Sequence, residues 1–266
     1  MDERTKTMNS PNAILLERLK DERNQSYSNG IYHWSQLNFA YNSNHMEGNS
    51  LTPFQTQTLF DRDSLITENN QSVKVNDIIE TRNHFQGFDF ILDNCKEPLS
   101  EDMIKELHRI LQSGTSNDIK LRFNIGEYKR IPNIIGGIEE IETCPPEKVK
   151  EEMHNLLDRY LSIKHPTFTN MIGLHYNMEK IHPFQDGNGR VGRLILYKEC
   201  LSHDIVPFII EDKFKEYYLL GMKEFKKEPE RLRDTCLYMQ DRYIAVCNKI
   251  VPGFADSNKR STNQRL

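Results

Sequence analysis

The chain has no surplus of positive charge. Its 35 lysines and arginines face 39 aspartates and glutamates, which leaves a net charge of −4 and a pI of about 6.2. That balance excludes a nucleic-acid protein working through a general basic face, so any positive potential has to be local. Cysteine pairing is also missing. Cys95, Cys144, Cys200, Cys236 and Cys247 are odd in number and scattered, and no C-x-x-C occurs. They read as reduced thiols of a cytosol-like compartment. No run approaches the ~20 apolar residues of a membrane span, and the opening MDERTKTMNS has no apolar h-region. The expectation is a soluble, cytoplasmic protein with neither nucleic acid nor membrane as partner. Internal repeats and domain-separating linkers are absent too, so the 266 residues read as one structural unit.

What is present is helical spacing with strong punctuation. Ile14, Leu15, Leu16 and Leu19 mark a helix from Asn12 to about Gln25, closed by Gly30. A second runs from Ile31 to about Met46 and ends at Gly48, placed as a C-cap. Thr52-Pro53 opens a short helix to about Asp61. Residues 74–95 read as one long helix, and Ser100 caps another with the stripe Met103, Ile104, Leu107, Leu111. Pro145-Pro146 and Pro166-Thr167 start helices to about Ser162 and Ile181, and 191–201, 213–226 and 229–250 supply three more. Between 126 and 143 the pattern changes. Ile131, Ile134, Ile135, Ile138 and Ile141 surround Gly136-Gly137, which predicts a β-hairpin, with Pro132 confining its strand to an edge. The fold class expected is all-α (mainly α), a helical bundle with one β-hairpin.

The densest chemistry lies in His182-Pro183-Phe184-Gln185-Asp186-Gly187-Asn188-Gly189-Arg190-Val191-Gly192-Arg193. Gly187-Asn188-Gly189 breaks the chain, so Arg190 and Arg193 fall in the first turn of the next helix, three apart and near one face. Cations there oppose the helix dipole. The placement makes sense around an anion held by free backbone N–H groups and two guanidinium forks. Asp186 beside such a polyphosphate cradle suits Mg²⁺, which takes one or two carboxylates plus phosphate oxygens; the alternative is a turn or N-cap aspartate. His182 can take a proton from a hydroxyl near neutral pH, or be a buried structural histidine.

Two other patterns overlap this stretch. Gly187-x-Gly189-x-x-Gly192 matches the dinucleotide glycine fingerprint, but that motif follows a strand, and here a polar helix and Pro183 precede it. His175, Glu179 and His182 share a helical face and in principle bind zinc, although their spacing is not H-E-x-x-H.

The twelve residues resemble the Fic family signature H-x-F-x-[DE]-G-N-G-R-x-x-R at every defined position. Gly126-Glu127-Tyr128, Asn133-Ile134-Ile135-Gly136-Gly137 and Pro145-Pro146 are similar to that family's flap region. Ser43-Asn44-His45-Met46-Glu47-Gly48 resembles its inhibitory motif [ST]-x-x-x-E-[GN]. Together these matches extend over residues 31–220.

The resemblance implies a Fic-fold bundle divided into an N-terminal helical region (1–110) with the inhibitory helix on the core, a Fic core (111–250) and a flexible tail (251–266). It implies transfer of AMP from ATP, with Mg²⁺, to a Ser, Thr or Tyr hydroxyl of a target protein or of the enzyme itself. By resemblance His182 is the base, Asp186 holds Mg²⁺, and Gly187, Asn188 and Gly189 form the anion hole. Arg190 contacts the β-phosphate, Arg193 the γ-phosphate, and Phe184 anchors the loop. Glu47 pairs with Arg193 at the γ-phosphate position, with Ser43 holding that helix. Asn133, Ile134, Ile135 and Gly136 dock the target by strand addition. The residues after Ile250 are too few for the winged helix of many relatives, so no DNA-binding module is expected. Lys129-Arg130 and Ile131-Pro132 lie in the flap, where they bear on target preference. Removal of AMP, transfer of another nucleotide or phosphate group, a non-catalytic nucleotide-binding role, a zinc hydrolase and a homodimer remain as alternatives or additions.

Overall fold

The structure is a computed structural model, and it describes residues 10–67, 72–118, 120, 123–135 and 141–257. Among them stand ten α-helices: α1 (Pro11–Asn24), α2 (Ile31–Met46), α3 (Pro53–Arg62), α4 (Val75–Asp93), α5 (Glu101–Gln112), α6 (Pro146–Leu161), α7 (Phe168–Ile181), α8 (Asn188–Ser202), α9 (Lys215–Glu224) and α10 (Pro229–Ile250). No described helix is long and apolar enough to cross a membrane.

Several helix starts follow from side chains that satisfy free N–H groups. Ser10 caps α1 ahead of Pro11, and Ser100 caps α5. Thr52 with Gln55, and Thr167 with Asn170, form reciprocal capping boxes at α3 and α7. α2 is capped from a distance. Gly30 offers no side chain, and the buried Glu22 of α1 accepts the Tyr32 N–H at 2.9 Å, a carboxylate on the positive helix end. A Cβ on Gly30 would overlap that carboxylate.

α8 is the axis of the molecule. It packs against α7, α4, α5, α2 and α1, and from Val191 to Leu201 every residue is buried. An all-round buried helix that carries charge needs internal partners. Lys198 finds the Glu97 carbonyl at 2.5 Å and Glu199 at 2.8 Å, and Tyr160 donates to Glu199 at 2.8 Å. One core cluster runs through both halves of the chain, from Leu15 and Phe39 to Tyr243 and Phe254.

Two expectations change. The hairpin predicted over 126–143 shrinks, in the described residues, to a bridge between the dipeptides Ile134–Ile135 and Ile141–Glu142, antiparallel with Ile135 opposite Ile141. Its turn, with Gly136, lies outside the described residues. The segment before it is not free to pair as strand. The Lys129 N–H goes to the Pro183 carbonyl at 2.8 Å, and Pro132 has no N–H to give. The tail expected to be loose from 251 begins packed instead: Val251 is 4% and Phe254 0% exposed, with a helical turn over 254–257. Val251 and Phe254 are apolar and join the core, unlike the polar residues after them. Residues 258–266 lie outside the described set.

Gly221 marks the closest approach of α9 and α10, where a Cβ would stand 2.8 Å from the Leu232 Cα. Helix propensity alone favours Gly→Ala by ~1 kcal/mol. Backbone overlap reverses the sign. Gly221→Ala is expected to lower unfolding free energy by ~1–3 kcal/mol in urea titrations, and a gain in stability contradicts the close packing.

Candidate active site

The loop between α7 and α8 is held from both sides before any ligand is considered. α7 ends where His182 adopts the left-handed conformation, φ 53° and ψ 63°, with its N–H on the Met178 carbonyl. Phe184 follows with 0% exposure, its ring stacked on His108 at 3.9 Å between centroids. Asn188 clamps Phe184 at both backbone groups: its Oδ1 accepts the Phe184 N–H at 2.8 Å, and its Nδ2 donates to the Phe184 carbonyl at 2.9 Å. Asn188 thus spends its side chain on the loop and leaves only its N–H for an anion.

His108 of α5 completes the hold. Its Nδ1 accepts the Gly126 N–H at 3.0 Å, so Nε2 carries the proton and donates to the Asp186 carbonyl at 3.1 Å. Burial holds this imidazole's pKa down at about 3, so the tautomer is fixed across the working pH range.

Gly187 turns the chain at φ 79° and stands as N-cap of α8, so the helix starts at Asn188, three residues before the expected Val191. No side chain caps this N-terminus. Arg190 is buried, with Nη1 3.2 Å from Glu80 Oε1 and Nη2 3.9 Å from Asp186 Oδ1. The charges are paired, yet Nε and Nη1 have no aligned acceptor among the described residues. Buried donors left open are costly, and a phosphate oxygen is the acceptor that this geometry suits.

Arg193, one turn on, is satisfied. Its Nε donates to Ser43 Oγ at 3.0 Å, and Nη2 donates to the Ser43 carbonyl at 2.9 Å and to Glu47 Oε1 at 2.7 Å. Glu47 is the C-cap of α2, followed by Gly48 at φ 91°. Burial pushes the Glu47 carboxyl up, but Arg193, then Arg190 and Lys215, outweigh it and set it below the usual range. Gly189 makes room, since a Cβ there would overlap the Glu47 carboxylate. Lys215 secures the end of α2 by donating to the Met46 carbonyl at 2.7 Å.

His182 is partly buried, and its Nδ1 has no partner among the described residues. Burial first, and then the charge of Lys129, lowers its pKa to about 4, which makes it a neutral acceptor at pH 7. Asp186 sits at the mouth, 44% exposed; its Oδ1 accepts the Gly187 N–H at 2.6 Å and its Oδ2 the Asn117 amide at 2.7 Å. Each oxygen keeps a lone pair for a cation. No group of three His, Cys, Asp or Glu able to hold a metal converges among the described residues. A Mg²⁺ on Asp186 therefore fits only as one carboxylate completed by phosphate oxygens and water.

The other two patterns resolve into packing. His175 turns its Nε2 to the Tyr218 hydroxyl at 2.6 Å, away from a zinc set with Glu179 and His182. Gly192 lets α7 approach α8: a Cβ there would stand 2.7 Å from Glu179 Oε1 and 3.1 Å from the His175 ring. The three glycines thus serve a turn, a carboxylate and a helix contact, and the loop before them leaves a helix. Of the flap residues, Asn133 reaches the loop by donating to the Phe184 carbonyl at 3.0 Å, while Ile134 and Ile135 form the bridged dipeptide.

Sequence reading placed Lys129 only in the flap, for target preference, and missed Glu80, His108, Asn117 and Lys215. None stands in a motif, and a lone polar residue on a helix or loop carries no local signal of its partner.

The uncapped N-terminus of α8, with its two buried arginines, thus follows a neutral His182, and known proteins carry a similar stretch. Residues 98–200 match the Fic/DOC family. The chain carries a Fic domain. It is 25% identical over 187 residues to a Protein adenylyltransferase Fic of Nematostella vectensis, covering 68% of this chain and 42% of the relative. The corresponding protein of Drosophila melanogaster is 25% identical over 216 residues, covering 77% and 39%. The chain thus spans about two fifths of the length of the curated relatives it matches. Among solved structures, a Fic domain containing signaling protein from Bacteroides thetaiotaomicron superposes with TM-score 0.72 at 24% identity, covering 91% of this chain and 97% of that one. Fic-1 of C. elegans gives 0.59 at 20%, covering 90% and 73%.

Glu179 provides a test of the site's electrostatics. Its Oε1 is buried without a partner among the described residues, and burial lifts its pKa from 4.5 to about 7. A carboxyl raised in the folded state holds its stability below the unfolded pKa and loses it as pH climbs through the folded one. Glu179→Gln is therefore expected to match the wild-type thermal midpoint near pH 4.5 and to exceed it increasingly up to about pH 7. Parallel midpoints across that range contradict the assignment.

Proposed function

We propose that the protein is an autoinhibited protein adenylyltransferase that moves AMP from ATP to a Ser, Thr or Tyr hydroxyl of a target protein and releases pyrophosphate. The observation that carries this reading is the buried fork of Arg193, taken up by Glu47 from 146 residues away while its neighbour Arg190 keeps open donors. Relatives named protein adenylyltransferase support the same chemistry.

The target oxygen attacks the α-phosphorus, its proton passes to neutral His182, and the bond to the β-phosphate bridging oxygen breaks. Charge that develops on the pyrophosphate falls on the first-turn N–H groups of α8 and on Arg190. Asp186 would hold Mg²⁺, which neutralises phosphate charge when bound. His182 needs no deprotonation above its lowered pKa, and the Phe184–His108–Asn188 clamp holds the loop that follows it. The target segment adds its backbone to the flap at Asn133, Ile134, Ile135 and Gly136, with little demand on its sequence.

Inhibition follows from competition. A carboxylate and a phosphate oxygen are alternative acceptors for one guanidinium, and Arg193 already makes three bonds to α2. The γ-phosphate has to displace Glu47.

Glu47→Gly is expected to raise incorporation of labelled AMP roughly tenfold or more, a change of ~1.4 kcal/mol per decade, and His182→Ala in that background to abolish it. Intact-mass spectrometry with each nucleoside triphosphate names the group transferred. Equal labelling by wild type and Glu47→Gly overturns the inhibition, and no adduct from any triphosphate overturns the transfer.

A further inference from the structure

Lys129 is an ammonium in the interior, 2% exposed, and among the described residues no carboxylate pairs with it. Its three protons have three oxygen acceptors: Asn133 Oδ1 at 2.7 Å, Thr143 Oγ1 at 2.6 Å and the Ile181 carbonyl at 3.4 Å. The first two stand at the two feet of the flap, Asn133 immediately before the Ile134–Ile135 dipeptide and Thr143 immediately after Ile141–Glu142. The third is the last carbonyl of α7, where the helix dipole favours a cation.

The backbone of Lys129 adds a fourth bond, its N–H to the Pro183 carbonyl at 2.8 Å. The residues on both sides of His182 are therefore held by one residue. That matters because His182 is a non-glycine at φ 53°, a conformation that persists only where surroundings over-determine it. Thr143 donates in turn to the Asn133 carbonyl at 2.8 Å, and Asn133 donates to the Phe184 carbonyl, which closes the connection from flap to loop.

We propose that Lys129 is a positioning residue that joins the flap to the base, so that a target segment seated on the flap and the imidazole of His182 are held as one rigid piece. The proposal rests on the transferase reading for its kinetic consequence. A lysine suits the place because three rotatable donors meet three acceptors lying in different directions. Its charge has a second effect on the imidazole, and the other groups acting on His182 are Glu47 from α2, Asp186 in the loop and the backbone of Glu179. Burial lowers the pKa of the Lys129 ammonium to about 8, with Cys144 opposing, so it carries its charge at pH 7. Removing the ammonium takes away a cation and so raises the His182 pKa.

The test uses the full chain with Glu47→Gly, comparing Lys129, Lys129→Met and Lys129→Arg. Methionine keeps the stem and loses charge and bonds, and is expected to lower kcat for AMP transfer roughly 10- to 100-fold while KM for ATP stays within about twofold. Arginine restores the charge but not three diverging donors, so it is expected to return the His182 titration toward that of the parent while recovering kcat only in part. The acid limb of the kcat profile moves to higher pH in the methionine variant. An NMR titration of the His182 imidazole moves the same way without any turnover. An unchanged kcat, an equal loss of ATP binding, or an unmoved imidazole titration in the methionine variant each overturns the proposal. Should Lys129→Met not fold, Thr143→Val removes one acceptor of Lys129 together with the Thr143–Asn133 bond and is expected to lower kcat about threefold at constant KM, and no change there overturns it equally. Absence of transfer in the parent Glu47→Gly protein sinks the transferase reading alone, because the imidazole titration still decides the role of Lys129.

Discussion

Arg193 carries a permanent charge into the core on a side chain only 4% exposed, and much of the structure answers to it. A cation so placed costs several kcal/mol unless it is paired and bonded. The chain meets that cost from a different helix, with the Ser43 hydroxyl, the Ser43 carbonyl and the Glu47 carboxylate converging on one guanidinium. This couples α2 to α8 more specifically than apolar contact can. The same charge, after burial, presses on the pKa values of His84 and His175, which stay neutral at about 3 and so do not repel it.

The neighbouring Arg190 shows the opposite state. Its charge is balanced by Glu80 and Asp186, but its donors are only partly used. One satisfied and one partly unsatisfied guanidinium thus stand a turn apart at an uncapped helix N-terminus. The glycines make this possible sterically, each for its own reason: Gly187 for the left-handed turn, Gly189 for the Glu47 carboxylate, Gly192 for the α7 contact. A dinucleotide fingerprint uses the same letters for a strand-to-helix turn. Here a helix with a left-handed C-cap precedes them, which is why identical spacing carries different chemistry.

The loop that bears His182 has few residues to spare for its own rigidity, so it borrows from four directions. α5 supplies His108, the 115–118 turn supplies Asn117, the flap approach supplies Lys129 and Asn133, and Asn188 folds back from α8. Among the described residues the approach to the flap is spent on this hold: the Lys129 N–H and the side chains of Lys129 and Asn133 are committed to carbonyls at 183, 181 and 184.

Local chemistry was legible in the chain itself. Serine and threonine caps, prolines at first helical positions and glycine breaks act within four residues, so α1, α3, α5, α6 and α7 begin close to where those signals stand. The anion-handling character of 182–193 was equally readable, because it depends on residue types in one short stretch. The pairing of Glu47 with Arg193 came from a resemblance, since no local pattern links positions 146 apart. Packing alone decided the rest: that α8 starts at Asn188, that Arg190 meets Glu80, and that His108 and Lys129 reach carbonyls of the loop and helix end around His182. Those partnerships depend on which side chains the core brings within about 3 Å of each other, a distance that hydrogen bonding requires and that no spacing along the chain encodes.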